Sequence, residues 1–409
     1  MTRAGHPGFQ ITAYLLGSLL AAGVADAATA AKITVGTLEL NYCNATYGGY
    51  CGSIRRKLDP TGAVSGSITI GFEYYPRRDQ SLPRLGVILP QEGGPGYSST
   101  GTRDAYINIF NSLRNRRDIL IVDKRGTGTS AAIDCPGVQQ GDPGEPAAIA
   151  ACGQQLGAKA ALYRTELAVA DIVGVMDALQ ISKVDFYGDS YGTYVGQTFA
   201  ARFGGRLRSV ILDSAYPVRP PDIWFPTDWA RGRDGLDRVC ERSPSCQALG
   251  GKSTWRMQSL LNSLRQHPIN GTAPDSDGMP LATTVDVSQL FLLMTNLGNS
   301  PVSYRDLDAA ARAWLESNDA LPLLRLSAEY DTPFVTDAVD FSYGQYQDLV
   351  CQEYPLHYDL AATPAQRRVQ YDNAIEHARQ NRPDLFAPFT LDEALDSNAN
   401  FTPLATCLD

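Results

Sequence analysis

The chain has 409 residues, of which 44% are hydrophobic and 19% are charged, and its formal net charge is −9 at pH 7. This composition is typical of a globular protein, and the length suits one large domain or two. The acidic balance argues against nucleic acid or an anionic membrane surface as a partner, because either would repel the protein.

The first 27 residues are predicted to form a secretory signal peptide, cleaved after Ala27 or, as a second choice, after Ala30. Arg3 gives a weakly basic start, an apolar run occupies residues 11–24, and small residues surround Asp26. The apolar run is shorter than the roughly 20 residues that a membrane-spanning helix needs. We therefore expect a secreted or periplasmic protein that does not contact the membrane after cleavage.

The cysteines agree with export. The chain has eight cysteines, which fall into four pairs of sequence neighbours: Cys43 with Cys51, Cys135 with Cys152, Cys240 with Cys246, and Cys351 with Cys407. Sequence alone does not fix the connectivity of eight cysteines, but the short spacings of the first three pairs favour local disulfides. A zinc site is the alternative, and the chain has neither a C-x-x-C motif nor paired histidines to support it. We expect no metal ion and no organic cofactor.

Predicted strands and helices alternate along the first half of the chain. Hydrophobic periodicity predicts strands over 33–35, 67–75, 85–89, 119–122, 184–187 and 210–212, and helices over about 103–113, 165–179 and 193–203. Such alternation indicates a parallel sheet with helices on both faces. From Pro217 onward we predict helices and loops but no strand. The expected organisation is a signal peptide over 1–27, an α/β core over 28–216 and a helical lid over 217–409.

One serine has the surroundings of a catalytic nucleophile. Ser190 lies in the sequence Gly-Asp-Ser-Tyr-Gly, directly after a predicted strand and directly before a predicted helix. This G-x-S-x-G pattern is the nucleophile elbow, a sharp strand-to-helix turn that presents the hydroxyl to a base. Gly188 and Gly192 flank the serine because a side chain at either position would collide where the strand and the helix close on the turn.

A second glycine-rich loop, over 93–96, follows the predicted strand 85–89 with the sequence Gly-Gly-Pro-Gly. Alone it predicts no more than a turn. Together with the elbow, and in this order, it is expected to supply one backbone N–H of an oxyanion hole, while the residue after the nucleophile, Tyr191, supplies the other. Pro95 has no N–H, so Gly94 is the expected donor.

These motifs resemble the secreted serine aminopeptidases related to proline iminopeptidase and tripeptidyl aminopeptidase. The matching stretches are 51–52, 58–60, 93–96, 118–130, 188–193 and 210–213, followed in the second half by 350–355, 386–390 and 407–409. The resemblance implies an α/β-hydrolase fold with a mostly parallel sheet and a helical lid. It also implies a serine peptidase that releases amino acids or short peptides from peptide N-termini through an acyl-enzyme on Ser190.

The resemblance further implies a return to the sheet after the lid, with a strand that ends in the triad aspartate and then a Gly-His that carries the base. The sequence stops at Cys407-Leu408-Asp409, before these elements would come. We therefore expect the last core strands to be missing, the exposed sheet edge to favour aggregation, and this chain to be inactive by itself. An esterase on the same fold and a catalytically dead binding protein are the alternatives.

Asp331 and His357 are the fallback acid and base within the chain. Asp331 follows the run 321–326, which resembles a strand, but Pro322 inside that run argues against a central strand. We interpret the pair as a decoy. His377 is predicted to lie on a solvated helix.

A substrate with a free N-terminus carries an ammonium group, for which an acidic lid residue is the natural partner. Glu353 lies in one of the matching stretches and is the candidate, with a surface glutamate as the alternative. Asp189, beside the nucleophile, is either a second ammonium partner or a hydrogen-bond partner that stiffens the elbow. Asp213, which ends a predicted strand, is another candidate for the acid, and a buried cap of the following turn is the preferred interpretation. The expected substrate is a peptide or a small acyl compound.

Overall fold

A computed structural model describes residues 31–141, 144–215, 217–220, 222–297, 300–331, 336–397 and 407–408. The strands are β1 (Lys32–Val35), β2 (Leu38–Asn44), β3 (Gly49–Lys57), β4 (Ser67–Tyr75), β5 (Gly86–Gln91), β6 (Arg117–Val122), β7 (Val184–Asp189), β8 (Leu207–Asp213), β9 (Ile269–Pro274) and β10 (Pro280–Val285). The helices are α1 (Arg103–Ile109), α2 (Pro136–Gln139), α3 (Pro146–Leu156), α4 (Thr165–Ala178), α5 (Tyr191–Phe203), α6 (Pro226–Glu241), α7 (Pro244–Gln247), α8 (Ser253–Leu264), α9 (Val287–Thr295), α10 (Pro301–Ser317), α11 (Leu321–Tyr330), α12 (Tyr343–Glu353), α13 (Pro364–Asn381) and α14 (Leu391–Asp396).

The main sheet is mixed, with the strand order β1-β2-β3-β4-β6-β5-β7-β8. Neighbouring strands from β1 to β6 along this order pair antiparallel. The pairings of β6 with β5, β5 with β7, and β7 with β8 are parallel. This arrangement agrees with the predicted α/β class, and its parallel half carries the G-x-S-x-G motif.

The parallel half of the sheet is buried because its strands are short apolar runs. Val87, Leu89, Leu120, Val122 and Phe186 are each at most 1% exposed. Strands that helices cover on both faces have this continuous apolar character. The helix predicted over 165–179 is α4 with the residue that follows it, and its apolar face is also buried. This face consists of Val169, Ile172, Val173, Met176 and Leu179.

The second half of the chain has a hydrophobic core of its own, separate from that of the sheet. Trp229 of α6 stacks on Phe291 of α9 with 4.8 Å between ring centroids. Phe386 and Phe389 meet both rings edge-on. The predicted lid region therefore folds around its own aromatic core rather than lying as loops on the sheet.

One segment of the second half packs against the α/β core. Leu349 of α12 lies in the core of the sheet. The Ser342 hydroxyl donates to the Ile133 carbonyl (2.6 Å), and Tyr97 and Phe341 form an antiparallel bridge. The segment 336–353 therefore ties the predicted lid to the predicted core.

The prediction that the second half contains no strand is wrong. β9 and β10 form an antiparallel hairpin, in which Ile269, Ala273, Thr283 and Val285 are buried at alternate positions. Hydrophobic periodicity does not reveal these strands because both are rich in small and polar residues. A proline also ends β9 (Pro274) and begins β10 (Pro280). The turn over 275–279 contains the Asp and Gly residues that favour a tight hairpin.

The segments interpreted as helix or loop around the candidate histidines are confirmed. The run 321–326 lies in α11, with Pro322 in the first turn, where a missing N–H costs no hydrogen bond. His377 is exposed on α13, as predicted.

β8 is an edge strand in the described part of the chain. It pairs with β7 on one side, and Val210, Ile211 and Leu212 are 38%, 54% and 36% exposed. An apolar strand with a free edge can pair with another chain. This is the exposed edge that the sequence leads us to expect.

The four predicted disulfides form. The Cα–Cα distances are 5.7 Å for Cys43–Cys51, 5.4 Å for Cys135–Cys152, 5.2 Å for Cys240–Cys246 and 5.4 Å for Cys351–Cys407. Within the ranges described, no helix combines the length and the apolar character needed to cross a bilayer. The predicted signal peptide, 1–27, lies outside the described residues.

Candidate active site

Ser190 occupies the turn between β7 and α5, as the sequence predicts. Its backbone angles are φ +48° and ψ −121°, a strained conformation for an L-residue. Hydrogen bonds on both sides hold it there. The Ser190 N–H donates to the Asp213 carbonyl (3.0 Å), and the Ser190 carbonyl accepts from the N–H (2.9 Å) and the hydroxyl (2.7 Å) of Thr193. The serine is exposed, so its hydroxyl is open to a substrate.

The flanking glycines are required by space. A Cβ on Gly188 would lie 2.2 Å from the Gly192 carbonyl oxygen, and a Cβ on Gly192 would lie 2.1 Å from the Gln91 carbonyl oxygen. Backbone atoms cannot move aside without disturbing their own elements. The end of β5, the elbow and the start of α5 are therefore fixed against one another.

The glycine-rich loop 93–96 lies directly against the nucleophile. A Cβ on Gly93 would lie 2.8 Å from Ser190 Cβ and 3.3 Å from Ser190 Oγ. The Gly93 N–H is already used, because it donates to Glu92 Oε1 (2.9 Å). The next N–H, on Gly94, stays the predicted oxyanion donor. Its predicted companion is the N–H of Tyr191, which as the first residue of α5 has no carbonyl one turn back within the helix.

A buried lysine supports this loop. Lys124 is 2% exposed, and its ammonium donates to the carbonyls of Glu92 (2.9 Å) and Tyr97 (3.4 Å), which stand on either side of the loop. Burial lowers the pKa of Lys124 to about 8, although the nearby carboxylates of Glu92 and Asp123 favour the charged form. The ammonium thus holds both ends of the loop at a fixed separation.

Two carboxyl groups beside Ser190 share a proton. The Tyr106 hydroxyl lies 2.8 Å from Glu92 Oε2 and 2.9 Å from Asp189 Oδ1. A hydroxyl has one proton, so Tyr106 can donate a full hydrogen bond to only one carboxylate, and a proton on the other carboxyl group completes the second bond. Burial and the neighbouring Glu92 raise the pKa of Asp189 to about 7. Although burial opposes it, hydrogen bonds from Asp189 and the Gly93 amide hold the pKa of Glu92 below its usual value. Of the two carboxyl groups, Asp189 therefore binds a proton more readily as the pH falls, and its contact with Tyr106 agrees with the predicted hydrogen-bond partner that stiffens the elbow.

A profile of the alpha/beta hydrolase fold family matches residues 86–334, more than half of the chain. The chain belongs to this alpha/beta hydrolase family.

Curated relatives of this hydrolase-fold protein include two peptidases. A tripeptidyl aminopeptidase of Streptomyces lividans is 24% identical over 197 residues, with 43% of this chain and 37% of the relative covered. The serine protease Hip1 of Mycobacterium tuberculosis is 26% identical over 231 residues, with 49% and 43% covered. The chain thus spans less than half the length of these relatives. Among solved structures, a proline iminopeptidase-related protein from Thermus thermophilus is 16% identical, with a TM-score of 0.27, 46% of this chain and 50% of that chain covered.

No histidine in the described part of this hydrolase-fold chain forms a hydrogen bond with Ser190 Oγ. His357 instead packs against Trp224, with 4.3 Å between ring centroids and the rings tilted by 48°. Burial lowers the pKa of His357 to about 4, although the charge of Asp222 opposes the shift. The structure therefore assigns His357 a packing role in the lid.

The fallback acid also has other partners. The Asp331 carboxylate accepts from the Thr283 hydroxyl (3.1 Å) and from the Gln289 side-chain amide (3.0 Å). These bonds tie the end of α11 to β10 and α9. Among the described contacts, none joins Asp331 to His357, which agrees with the interpretation of the pair as a decoy.

Glu353 lines a cavity near the elbow, and its carboxylate is engaged. Oε1 accepts from the Thr165 N–H (2.7 Å), and Oε2 accepts from the Thr165 hydroxyl, which also bonds the hydroxyl of Tyr191. Burial raises the pKa of Glu353. The chain of bonds links α12 to the residue after the nucleophile. The role of Glu353 as an ammonium partner stays a prediction, and a substrate ammonium would have to compete with the two hydrogen bonds from Thr165.

Asp213 is exposed at the end of β8, so the prediction that it is a buried cap is wrong; its partners are local. Its Oδ2 accepts from the Tyr187 hydroxyl (2.9 Å), and the Ser214 hydroxyl lies 3.4 Å from its Oδ1.

The one group of described side chains close enough to share a metal ion is Cys43, Cys51 and Glu73, and both of its sulfurs are in a disulfide.

Three residues around the nucleophile were not predicted: Glu92, Lys124 and Tyr106. A positional signal existed for two of them. Glu92 immediately precedes the loop 93–96, and Lys124 is the second residue after the buried strand 119–122. Parallel strands end at the same edge of a sheet, where ligand sites form. Tyr106 carries no such signal, because its contacts depend on how α1 packs beside the ends of β5 and β7.

Proposed function

We propose that this protein is an exported serine hydrolase that releases amino acids or short peptides from the N-termini of peptides. The observation that carries the proposal is the strained turn at Ser190 with the loop 93–96 against it. A serine exposed on such a turn serves nucleophilic catalysis. The names of the two relatives, a tripeptidyl aminopeptidase and a serine protease, support a peptide substrate. The predicted signal peptide and the four disulfides support export.

In the proposed reaction, Ser190 Oγ attacks the carbonyl carbon of the scissile bond, and its proton passes to a base. The carbonyl oxygen becomes an oxyanion, which the N–H groups of Gly94 and Tyr191 stabilise. The C–N bond breaks, the amine leaves with the proton, and an acyl-enzyme remains on Ser190. Water then hydrolyses this ester and regenerates the hydroxyl.

The base is the part that the described residues do not supply. An unassisted serine hydroxyl keeps its proton and is a weak nucleophile. We therefore propose that the described residues by themselves turn over peptides poorly, and that a base from outside them completes the site. This base approaches from the β8 side of Ser190, because the loop 93–96 occupies the β5 side.

A binding protein without catalysis is the second candidate. The lack of a described imidazole at Ser190 is the observation that favours it. A binding protein would hold a peptide near the elbow, but Ser190 would not be acylated even when a base is supplied from solution. The two candidates therefore differ in whether added imidazole produces a Ser190-dependent reaction.

Hydrolysis of aminoacyl 4-nitroanilides and of 4-nitrophenyl acetate, each with and without imidazole, tests the proposal. We expect imidazole to raise nitroaniline release by about ten-fold or more, because a general base assists attack. Ser190→Ala should remove this increase. Ser190-dependent turnover of the acetate alone would indicate an esterase, and no Ser190-dependent product from either compound would indicate a binding protein.

A further inference from the structure

A cavity of about 330 Å³ lies between the α/β core and the lid. Tyr194 and Tyr354 line it from the core side, and Trp229 and Met294 line it from the lid helices α6 and α9. Trp229 and Met294 are 6% and 2% exposed, so the lid core holds this wall in place. A cavity of this size with aromatic and apolar walls suits an apolar side chain.

The cavity lies at the edge of the sheet that carries Ser190. Tyr194 is one helical turn after Ser190 on α5, and its ring stacks on that of Tyr191 with 5.7 Å between centroids. Pro217 and Val218, which also line the cavity, follow the end of β8. Ligands of open α/β sheets bind outside the carboxyl ends of the strands, and this cavity has that position.

Two described carboxylates line the cavity, and they differ in their freedom to bind a ligand. Glu353 uses both oxygens on Thr165. The side chain of Asp228 is 67% exposed, and its ion pair with Arg231 is long, at 4.0 Å, and exposed to solvent. An exposed pair of this kind contributes little stability, so Asp228 can accept a bond from another cation.

We propose that the cavity binds the apolar side chain of a substrate residue whose α-amino group is free, and that Asp228 at the rim holds the ammonium. The inference rests on the proposed function, since it specifies the N-terminal residue of the substrate. The apolar side chain gains free energy by leaving water, whereas an ammonium buried without a partner is costly. A carboxylate at the rim pairs with the ammonium while both remain hydrated.

The test uses three small amides on the Ser190→Ala protein, in which hydrolysis cannot interfere. L-phenylalaninamide has both the side chain and the ammonium, N-acetyl-L-phenylalaninamide lacks the ammonium, and glycinamide lacks the side chain. By titration calorimetry at low salt, we expect phenylalaninamide to bind about five-fold more tightly than its acetylated form, as an exposed ion pair allows. Glycinamide should not bind at the same concentrations. Equal affinities for the first two amides, or no binding of phenylalaninamide, would overturn the proposal.

Two substitutions on α6 locate the site. Asp228→Asn should lower the affinity for phenylalaninamide to that for the acetylated amide and leave the latter unchanged. Asp234→Asn is the matched control, because that carboxylate is 50% exposed on the same helix and pairs with Arg233 (2.8 Å). An equal loss in both variants would show that Asp228 has no specific role.

Gly232 allows the cavity itself to be filled. A Cβ at this position has the Met294 carbonyl oxygen, at 3.9 Å, as its nearest neighbour, so Gly232→Ala should fold and still bind. Gly232→Leu should fold and lose phenylalaninamide binding. Retained binding in Gly232→Leu would place the ligand elsewhere, and the Asp228→Asn result stands as an independent test if the leucine variant does not fold.

The outcomes separate this inference from the proposed function. Binding in Ser190→Ala does not depend on acylation. Intact binding without any imidazole-dependent turnover in the wild-type protein would contradict the proposed function and leave the cavity assignment in place. Turnover without Asp228-dependent binding would contradict the cavity assignment alone.

Discussion

The two sides of Ser190 differ in how completely they are built. On the β5 side, Gly93 lies against the serine, Lys124 holds both ends of the glycine-rich loop, and Glu92 takes the Gly93 N–H. On the β8 side, the neighbouring strand is an open edge on which Ile211 is 54% exposed. The loop that carries the predicted oxyanion donor Gly94 is thus held beside the serine, whereas the described residues supply no base on the other side.

This difference shows which parts of a nucleophile site arise from local contacts. The elbow and the loop 93–96 are positioned by strands β5, β6 and β7 and by the helices that join them, all within the α/β core. No acid–base pair among the described residues meets Ser190, and the described sheet ends at β8. The strained serine turn can therefore form without the residues that would activate it.

Loss of the buried ion pair near the end of β6 should have the largest effect on stability. Arg125 is 1% exposed and its Nε donates to Asp171 (2.8 Å). Arg125→Met leaves Asp171 buried with only a second arginine, Arg56, at 3.3 Å. We expect unfolding to become easier by about 3–5 kcal/mol, measured by urea denaturation.

The control for that prediction is an exposed ion pair between α5 and α4. Arg202 pairs with Glu166, and their side chains are 51% and 41% exposed. Arg202→Met should cost less than about 1 kcal/mol, because water screens the pair. Similar losses of stability in the two methionine variants would contradict the claim that the buried pair of Arg125 and Asp171 stabilises the fold more than an exposed pair does.

A methyl group at the elbow should have the next largest effect. Gly192→Ala places a Cβ 2.1 Å from the Gln91 carbonyl oxygen, so β5 and α5 must separate. We expect a loss of about 1–3 kcal/mol in unfolding free energy and a slower reaction of Ser190 with a fluorophosphonate. Gly153→Ala is the control, since nothing lies within 4 Å of its added Cβ in α3 and the change should stabilise the helix slightly. A Gly192→Ala protein as stable and as reactive as the wild type would disprove the close packing.

The shared proton predicts that stability falls as pH rises. Asp189 titrates at about 7 in the folded protein and near 3.8 when unfolded, so the folded state binds the proton more strongly between these values. Its stabilising effect is complete below about pH 4 and is lost as pH rises through about 7. The Tm of the wild type should therefore fall relative to that of Asp189→Asn between about pH 5 and about pH 8.

The comparison with Asp189→Asn removes the contribution of other groups. Burial also raises the pKa of Asp348 to about 7, but Asp348 is present in both proteins. A Tm difference that stays constant over this pH range would show that Asp189 and Glu92 do not share a proton.

The smallest effect on stability is expected at the β8 edge. Ile211→Lys should change the unfolding free energy by no more than about 0.5 kcal/mol, because the side chain is already exposed. It should reduce self-association, measured by light scattering, since a charged edge strand pairs poorly with another chain. Val369→Lys, on α13 at 58% exposure, is the matched control and should leave association unchanged. Equal self-association of the two variants would show that the β8 edge is not the surface through which the chains associate.

Sequence predicted the parts of the fold that short-range patterns encode. The elbow at Ser190, the glycine loop, the buried stripe of α4 and the first three disulfides all depend on residues close together in the chain. The hairpin β9–β10 was missed because its small and polar residues mask the alternation of buried positions.

The site was less predictable than the fold because its support comes from several strands. Glu92, Lys124 and Tyr106 come from three segments of the chain, and their shared hydrogen bonds exist only after β5, β6 and α1 have packed. Glu353 was expected to face a substrate, and its bonds to Thr165 could not be read from either neighbourhood in the sequence.

The rate at which a fluorophosphonate labels Ser190, with and without imidazole, tests the central claim most directly. We predict slow labelling of the protein alone, an increase of about ten-fold or more with imidazole, and no labelling of Ser190→Ala. Fast labelling without imidazole would contradict the claim that the described residues lack a base. An absence of labelling even with imidazole would contradict the claim that Ser190 is a nucleophile.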